Sequence, residues 1–103
     1  MTEYTESIRA LEEHRQKKND AALQAAKETC ETCTRCALCQ TRTNLVYGTG
    51  SSTASLLFIG EAPGAKEDET GIPFVGAAGK LLDRYLFAMD IPRSAVYIAN
   101  ILK

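Results

Sequence analysis

The stretch SLLFIG, residues 55–60, is a continuous apolar run that ends in a glycine. Short apolar runs bounded by turn residues are typical of strands that are buried on both faces of a parallel sheet. We therefore predict that this stretch is a strand at the centre of a parallel sheet, around which the rest of the fold is arranged.

A helix and a second strand are predicted after this run. Apolar residues recur at helical spacing between Ala77 and Met89, and Pro92 follows shortly. Residues 95–98 have the pattern of a strand. Residues 61–76 are rich in proline, glycine and acids, so we expect a long shaped loop there. The order predicts a βαβ unit of an α/β fold with a right-handed crossover, and it places the loop at the carboxyl edge of the sheet, where ligands bind.

The part of the chain before this unit is predicted to be mainly helical. Residues 6–27 favour a helix, but residues 12–20 are polar on all sides, so we expect a frayed centre. Residues 44–48 have the pattern of a short strand. A chain of 103 residues is one small domain at most. We divide it into a helical segment, residues 1–29, and a main part, residues 30–103.

The composition excludes some classes of protein. The formal net charge is −1, so the chain lacks the basic surface that neutralises many phosphates of a DNA duplex. No stretch has the length or apolarity of a signal peptide or of a membrane-spanning helix. We expect a cytoplasmic protein without a membrane partner.

Four cysteines lie within ten residues, at Cys30, Cys33, Cys36 and Cys39. In a reducing cytosol such clustering indicates a metal rather than disulfides. The spacing suits zinc or an iron–sulfur cluster and does not choose between them, since the C-x3-C-P that follows in bacterial ferredoxins is absent. A set of free thiols is the alternative.

The loop after the first predicted strand begins with GEAPGAKED, residues 60–68. It contains neither the dinucleotide-binding nor the phosphate-binding glycine motif, so we exclude a nucleotide site of those kinds. Its glycines permit close approach of the main chain to a flat ligand. The carboxylates of Glu61, Glu67 and Asp68 would lie nearby. These residues by themselves predict a site for a small polar ligand.

Three further side chains are ambiguous when each is taken alone. Phe74 lies in a glycine-flanked loop, where its ring could stack on a base or anchor the loop in the core. Asn100 follows the second predicted strand and could bind a ligand edge or cap a turn. His14 is the only histidine and is expected to have a surface role.

Several motifs together resemble those of the family-four uracil-DNA glycosylases. They are CTRCAL at residues 33–38 with Thr-Arg at residues 41–42, GEAPGAKEDETGIPFVGAAGKLLD at residues 60–83, and YIANILK at residues 97–103. The resemblance extends over residues 30–103, and the motifs occur in the order and spacing of the family.

The resemblance implies a three-layer α/β/α fold with a parallel central sheet. It also implies an enzyme that excises uracil by flipping the base and hydrolysing the N-glycosidic bond. Uracil-containing DNA and uracil are then the partners. The implied cofactor is a structural 4Fe–4S cluster with Cys33 and Cys36 as ligands. Cys30 and Cys39 are alternative ligands, and zinc is the alternative metal.

The same resemblance assigns roles to the substrate-binding residues. The main chain of Gly60, Glu61 and Ala62 would lie against uracil. Phe74 would stack on the flipped base, and Asn100 would read the edge of uracil that differs from cytosine.

The implied catalytic residues are Glu61, Glu67 and Asn100. Glu67 stands where the family keeps an acid near the attacking water. Hydrogen bonds to the departing uracil anion would stabilise it.

The sequence departs from the family at Lys103, where it ends before the remaining cluster cysteines and the segment with the catalytic histidine. We therefore expect a truncated chain with weak or no activity, and an exposed sheet edge through which chains associate. Two alternatives remain. One is a non-enzymatic metal-binding module that uses all four cysteines, and the other is a base-binding protein without hydrolysis.

Overall fold

The computed structural model describes residues 2–103 and contains, within that part, four α-helices and one three-stranded sheet. The helices are α1 (Thr2–Glu31), α2 (Leu38–Thr41), α3 (Ala65–Thr70) and α4 (Ala77–Ala88). The strands are β1 (Thr49–Gly50), β2 (Leu57–Gly60) and β3 (Tyr97–Asn100), and a 3-10 turn covers Arg93–Ala95. In this part of the chain, no helix combines the length and apolarity that crossing a membrane requires.

The sheet is mixed, with the strand order β1-β3-β2. β2 and β3 are parallel, and Phe58 pairs with Ile98 while Gly60 pairs with Asn100. β1 is antiparallel to β3. The prediction of α/β content and of a parallel strand pair joined through a helix is confirmed. The expectation of an entirely parallel sheet is wrong, because a short strand before the βαβ unit joins β3 in the opposite direction.

The strand predicted at the sheet centre is an edge strand. β3 is the central strand, and its Ile98 is fully buried. Leu57 and Ile59 of β2 are 54% and 61% exposed, so only one face of β2 is covered. The prediction of burial on both faces is therefore wrong for this strand. An apolar run indicates that a strand can be buried, but the neighbours that bury it are not encoded in the run itself.

The hydrophobic core lies between the sheet and α4. Leu86, Val96 and Ile98 form its buried centre, and Phe58 and Leu82 pack against them. α4 begins at Ala77 as predicted and ends at Ala88. The second strand begins two residues later than predicted, because the 3-10 turn occupies Arg93–Ala95.

The helix α1 is continuous from Thr2 to Glu31 and has no frayed centre. Its polar middle consists largely of strong helix formers, which sustain a helix without a buried face. Among the side chains of residues 3–31, those that are partly buried lie in the C-terminal half, at Asn19, Leu23, Lys27 and Cys30, spaced three or four residues apart. That spacing places one face of the helix against the rest of the protein.

Two other predicted segments differ from the structure. Residues 44–48 are not a strand, because their polar groups form hydrogen bonds with other segments. The side-chain amide of Asn44 donates to the carbonyls of Asp68 and Glu69, and the N–H of Val46 donates to the carbonyl of Lys103. The long loop after β2 contains the short helix α3. The Glu67 side chain accepts a hydrogen bond from the N–H of Gly64 at the start of this helix.

Candidate functional site

A cavity of about 120 Å³ opens beyond the carboxyl ends of the parallel strands β2 and β3. Its walls come from three segments that are distant in sequence: the loop after β2, the start of α4, and the end of β3. The lining residues are Ala62, Glu67, Phe74, Gly76, Ala77, Ala78, Gly79 and Asn100. This volume is of the same order as, and somewhat below, the roughly 150 Å³ of an enclosed apolar cavity that holds one benzene molecule. Its position agrees with the ligand edge predicted for the βαβ unit.

Phe74 is both a core anchor and a wall of the cavity. Its side chain packs against the buried cluster of Leu86, Val96 and Ile98, and it also lines the cavity. The main chain at Phe74 has a φ of 54°, a left-handed conformation that is rare for an aromatic residue. Strained residues of this kind cluster at ligand sites, where the surrounding structure holds them in place.

Two glycines permit the position of Phe74. A Cβ atom at Gly60 would lie 2.6 Å from Cζ of the Phe74 ring and would overlap Oδ1 of Asn100. A Cβ atom at Gly79 would overlap the carbonyl group of Phe74. The ring therefore lies close to the end of β2, and the loop lies directly on the first turns of α4.

Asn100 is the buried polar residue of the core, at 4% exposure. It lines the cavity from the end of β3, with Oδ1 close to Gly60. Among residues 2–103, no protein group hydrogen-bonds its side-chain amide. Its side-chain nitrogen and oxygen remain accessible from the cavity, because the one fully buried side-chain polar atom without a partner in residues 2–103 is Oγ of Ser52. The amide is thus available to bind the edge of a ligand.

Glu67 reaches the cavity from α3 and accepts three main-chain hydrogen bonds. Its Oε1 accepts from Gly64 at 2.9 Å, and its Oε2 accepts from Val75 at 3.0 Å and from Gly76 at 2.7 Å. Burial opposes ionisation, but the N–H groups of Gly76, Val75 and Gly64 outweigh it, and the pKa of this carboxyl is lowered. Glu67 is therefore a carboxylate at neutral pH and holds both ends of the loop together.

The acidic residues beside Glu67 do not line this cavity. Glu61 is exposed, and its carbonyl accepts a hydrogen bond from the N–H of Leu102 at 3.0 Å. Asp68 faces away, and its Oδ1 accepts from the N–H groups of Thr43 and Asn44 at 2.7 and 3.0 Å. The Asn44 N–H is the chief reason that the pKa of Asp68 is lowered. Asp68 thus joins α3 to the segment after the cysteines.

Of the other residues singled out from the sequence, Gly60 and Ala62 lie next to the cavity, whereas His14 does not line it. Ala62 lines the cavity, and the Gly60 carbonyl accepts a hydrogen bond from the N–H of Ile101. The main chain after β2 is therefore fixed against the end of β3, next to the cavity. His14 is exposed on α1, as predicted.

The four cysteines line a separate cavity of about 340 Å³ between α1, α2 and the residues after β3. No disulfide joins them, and Cys36 is exposed while the other three are partly buried. In residues 2–103, no three cysteine, histidine or acidic side chains are arranged to hold a metal ion. Four thiols around one cavity are nevertheless a suitable donor set for zinc or an iron–sulfur cluster. The prediction of a metal stays a prediction.

Sequence reasoning did not identify Arg93. Its guanidinium donates to the carbonyls of Pro73 and Phe74 and pairs with Asp83. No local pattern marks such a residue, since its partners lie 10 to 20 residues earlier in the chain.

The residues that line the cavity beyond β2 and β3 lie within the part of the chain that matches a family model. Residues 47–103 match the family model described as "Uracil DNA glycosylase superfamily". The chain is 52% identical over 71 residues to a type-4 uracil-DNA glycosylase of Archaeoglobus fulgidus, covering 69% of this chain and 36% of that protein. It is 46% identical over 83 residues to that of Sulfurisphaera tokodaii, covering 80% and 38%.

A third relative is the type-4 uracil-DNA glycosylase of Thermotoga maritima, which is 44% identical over 81 residues, covering 79% of this chain and 42% of that protein. The chain thus matches less than half of the length of each of these relatives.

Proposed function

The chain belongs to the uracil DNA glycosylase superfamily, and we propose on that basis that the protein removes uracil from DNA by hydrolysing its N-glycosidic bond. The single observation that supports the proposal best is the meeting of Phe74, Asn100 and Glu67 around one cavity beyond the carboxyl ends of the parallel strands. An aromatic ring, an unpaired amide and a carboxylate are the groups that a pyrimidine-excising site needs.

Recognition of the base is assigned to Phe74 and Asn100. The exposed part of the Phe74 ring offers a stacking surface for the flipped base, and stacking of this kind is worth about 1–3 kcal/mol per base. The amide of Asn100 pairs with the edge of uracil. Cytosine carries an amino group where uracil carries a carbonyl, so it would leave buried polar groups unpaired, which costs about 1–3 kcal/mol each.

Glu67 is assigned a role through its charge. Because its pKa is lowered, it remains ionised during turnover at neutral pH. A carboxylate beside the cavity favours the positive charge that develops on the sugar as uracil leaves, and it can orient the attacking water. The main chain at Gly60, Glu61 and Ala62 is assigned to the uracil side of the site, and the departing anion is stabilised by hydrogen bonds.

We also propose that the cysteine segment holds a 4Fe–4S cluster. Cys33 and Cys36 are the proposed ligands in this segment, with Cys30 and Cys39 as alternatives. When bound, the cluster would supply no chemistry to the excision step and would only hold its segment in place. The four thiols around one cavity support the proposal. Metal analysis of the purified protein tests it, since one zinc per chain, released equally by Cys30→Ala and Cys33→Ala, would instead favour a zinc-binding module.

A three-layer α/β/α arrangement is proposed for the whole domain. α4 covers one face of the sheet through Leu82 and Leu86. Ala22 and Leu23 of α1 lie over the other face, across an open cavity of about 640 Å³. Helices on both faces of a sheet that contains a parallel pair support this architecture.

The excision proposal is tested with a uracil-containing oligonucleotide. The protein should release uracil, if only slowly because weak activity is expected of this chain, and Phe74→Ala should lower kcat/KM by a further factor of roughly 10 to 100, as expected for the loss of one stacking interaction. Phe87→Ala is the matched control, because Phe87 is 87% exposed on α4 and should leave the rate unchanged. Uracil binding without base release would instead indicate a non-hydrolytic binding protein.

A further inference from the structure

Arg93 connects three parts of the protein through one side chain. Its Nη2 donates to the carbonyl of Pro73 at 2.6 Å and to that of Phe74 at 3.0 Å. Its Nη1 pairs with Oδ1 of Asp83 on α4, also at 2.6 Å. The guanidinium therefore bridges two successive carbonyls of the cavity loop to α4, the helix whose first residues line the cavity.

The carbonyls that Arg93 binds belong to the strained part of the loop. Phe74 has a φ of 54°, which an aromatic residue adopts only when its surroundings impose it. From one side, α4 approaches so closely that a Cβ atom at Gly79 would overlap the Phe74 carbonyl. From the other side, the only side chain in residues 2–103 that hydrogen-bonds this carbonyl is that of Arg93.

We propose that Arg93 is a positioning residue for uracil excision, which sets the plane of the Phe74 ring by holding the main chain of Phe74 in its strained conformation. The inference rests on the proposed function, because it gives the ring the role of stacking on the flipped base. Arg93 is not among the residues that line the cavity, so it acts through the loop at Pro73 and Phe74, of which Phe74 lines the cavity.

Arginine suits this position better than lysine. A guanidinium has a planar set of five N–H donors and can reach two carbonyls and a carboxylate at once, whereas an ammonium group on a flexible stem cannot hold the same geometry. The Asp83 side chain is 52% exposed, so the ion pair itself adds little stability. Its effect is to orient the guanidinium toward the two carbonyls.

A double-mutant cycle on uracil excision tests the proposal. Arg93→Ala should lower kcat/KM by roughly 10- to 100-fold, since small misplacements of a substrate-contacting group have effects of this size. In a Phe74→Ala background the same substitution should have almost no further effect, because the ring that it positions is gone. Arg84→Ala, at an exposed arginine of the same helix as Asp83, is the control and should be silent in both backgrounds.

A second measurement does not depend on activity. Hydrogen exchange at the amides of Val75 and Gly76 should accelerate in Arg93→Ala and only partly recover in Arg93→Lys. The positioning role would be overturned if Arg93→Ala lowered kcat/KM by the same factor in the unmodified protein and in Phe74→Ala. Unchanged hydrogen exchange at these two amides would also overturn it. If the unmodified protein releases no uracil, the proposed function fails, and accelerated exchange would then show that Arg93 holds the loop without serving excision.

Discussion

Glu67 links the stability of the loop to the charge of the site. Its two carboxylate oxygens accept from three main-chain N–H groups, at Gly64, Val75 and Gly76. Those N–H groups lie at the start of α3 and at the start of α4, so a single side chain closes the loop between the two helices. The same oxygens border the cavity. One carboxylate therefore maintains the shape of the site and gives it a negative charge.

A pH dependence of stability follows from Glu67. Its pKa is below the ordinary value of 4.5 in the folded protein, so the unfolded chain binds more protons and acid favours unfolding. This contribution to stability is complete above about pH 4.5 and is lost as the pH falls through the lowered pKa. The free energy of unfolding, measured by urea denaturation from pH 3 to pH 7, should therefore fall on the acid side.

The substitution Glu67→Gln should remove part of that dependence. A neutral amide can replace only one of the two acceptor oxygens, so at least one N–H group loses its partner and the protein loses about 1–3 kcal/mol at pH 7. Some acid sensitivity remains, because the pKa of Asp68 is also lowered. If the free energy of unfolding of the variant changed with pH as steeply as that of the unmodified protein, the assigned role of Glu67 would be contradicted. The control is Glu69→Gln, at an exposed neighbour, which should behave like the unmodified protein.

The sequence motifs predicted the site better than its single residues did when each was taken alone. Phe74 alone favours a core role, and the structure gives it a core contact as well as a cavity wall. Asn100 alone suggests a turn cap, yet the residue lies in the core at 4% exposure and lines the cavity. The motifs around them placed both at one site. Asp68, in contrast, was expected near the ligand and lies against Thr43 and Asn44, because its direction depends on a segment 24 residues earlier.

Among the elements, α4 was the most predictable and β2 the least. The apolar residues of α4 recur at helical spacing, and Leu82 and Leu86 among them pack on the core, whereas Leu81 and Tyr85 are 48% and 59% exposed. The burial of β2 depends on which segments lie against each face, and the sequence of the strand does not contain that information. The strand β1 was missed because two residues of mixed polarity carry no strand pattern.

The close approach of the loop to α4 predicts an unusual effect of alanine. In a helix interior, Gly→Ala is normally stabilising by about 1 kcal/mol. At Gly79 the new Cβ atom would overlap the Phe74 carbonyl, so Gly79→Ala should instead destabilise the protein by about 1–3 kcal/mol. Thermal unfolding measures the difference. Lys80→Ala, at the exposed next residue, is the control, and an increase in Tm for Gly79→Ala would refute the contact.

For the whole molecule, the main feature is an incompletely covered sheet. β2 is an edge strand, and its Leu57 and Ile59 side chains border the wide cavity beneath α1. Exposed strand edges with apolar faces favour association between chains. The fold class was predictable from the order of the elements, whereas the extent to which each sheet face is covered depends on packing between distant segments and could not be read from that order.

We predict that the 103-residue polypeptide self-associates through this surface. Sedimentation velocity should show oligomers whose fraction rises with concentration, and Ile59→Lys should shift the distribution toward monomer by placing a charge on the face. Phe87→Lys is the matched control, because Phe87 is more exposed but lies on α4. Equal effects of the two substitutions would argue against the exposed face of β2 as the association surface, and a concentration-independent monomer would exclude self-association.

The central claim is that the cavity between Phe74, Glu67 and Asn100 is a pyrimidine site, and free uracil tests it most directly. In ¹H–¹⁵N spectra, uracil should shift the side-chain amide signals of Asn100 and the main-chain signals of Gly76 and Gly79, with a weaker response to cytosine. Phe74→Ala should reduce these shifts. The account would be contradicted if saturating uracil left the signals of the Asn100 side-chain amide unchanged. It would also be contradicted if the saturable chemical-shift changes were confined to the exposed face of the sheet near Leu57.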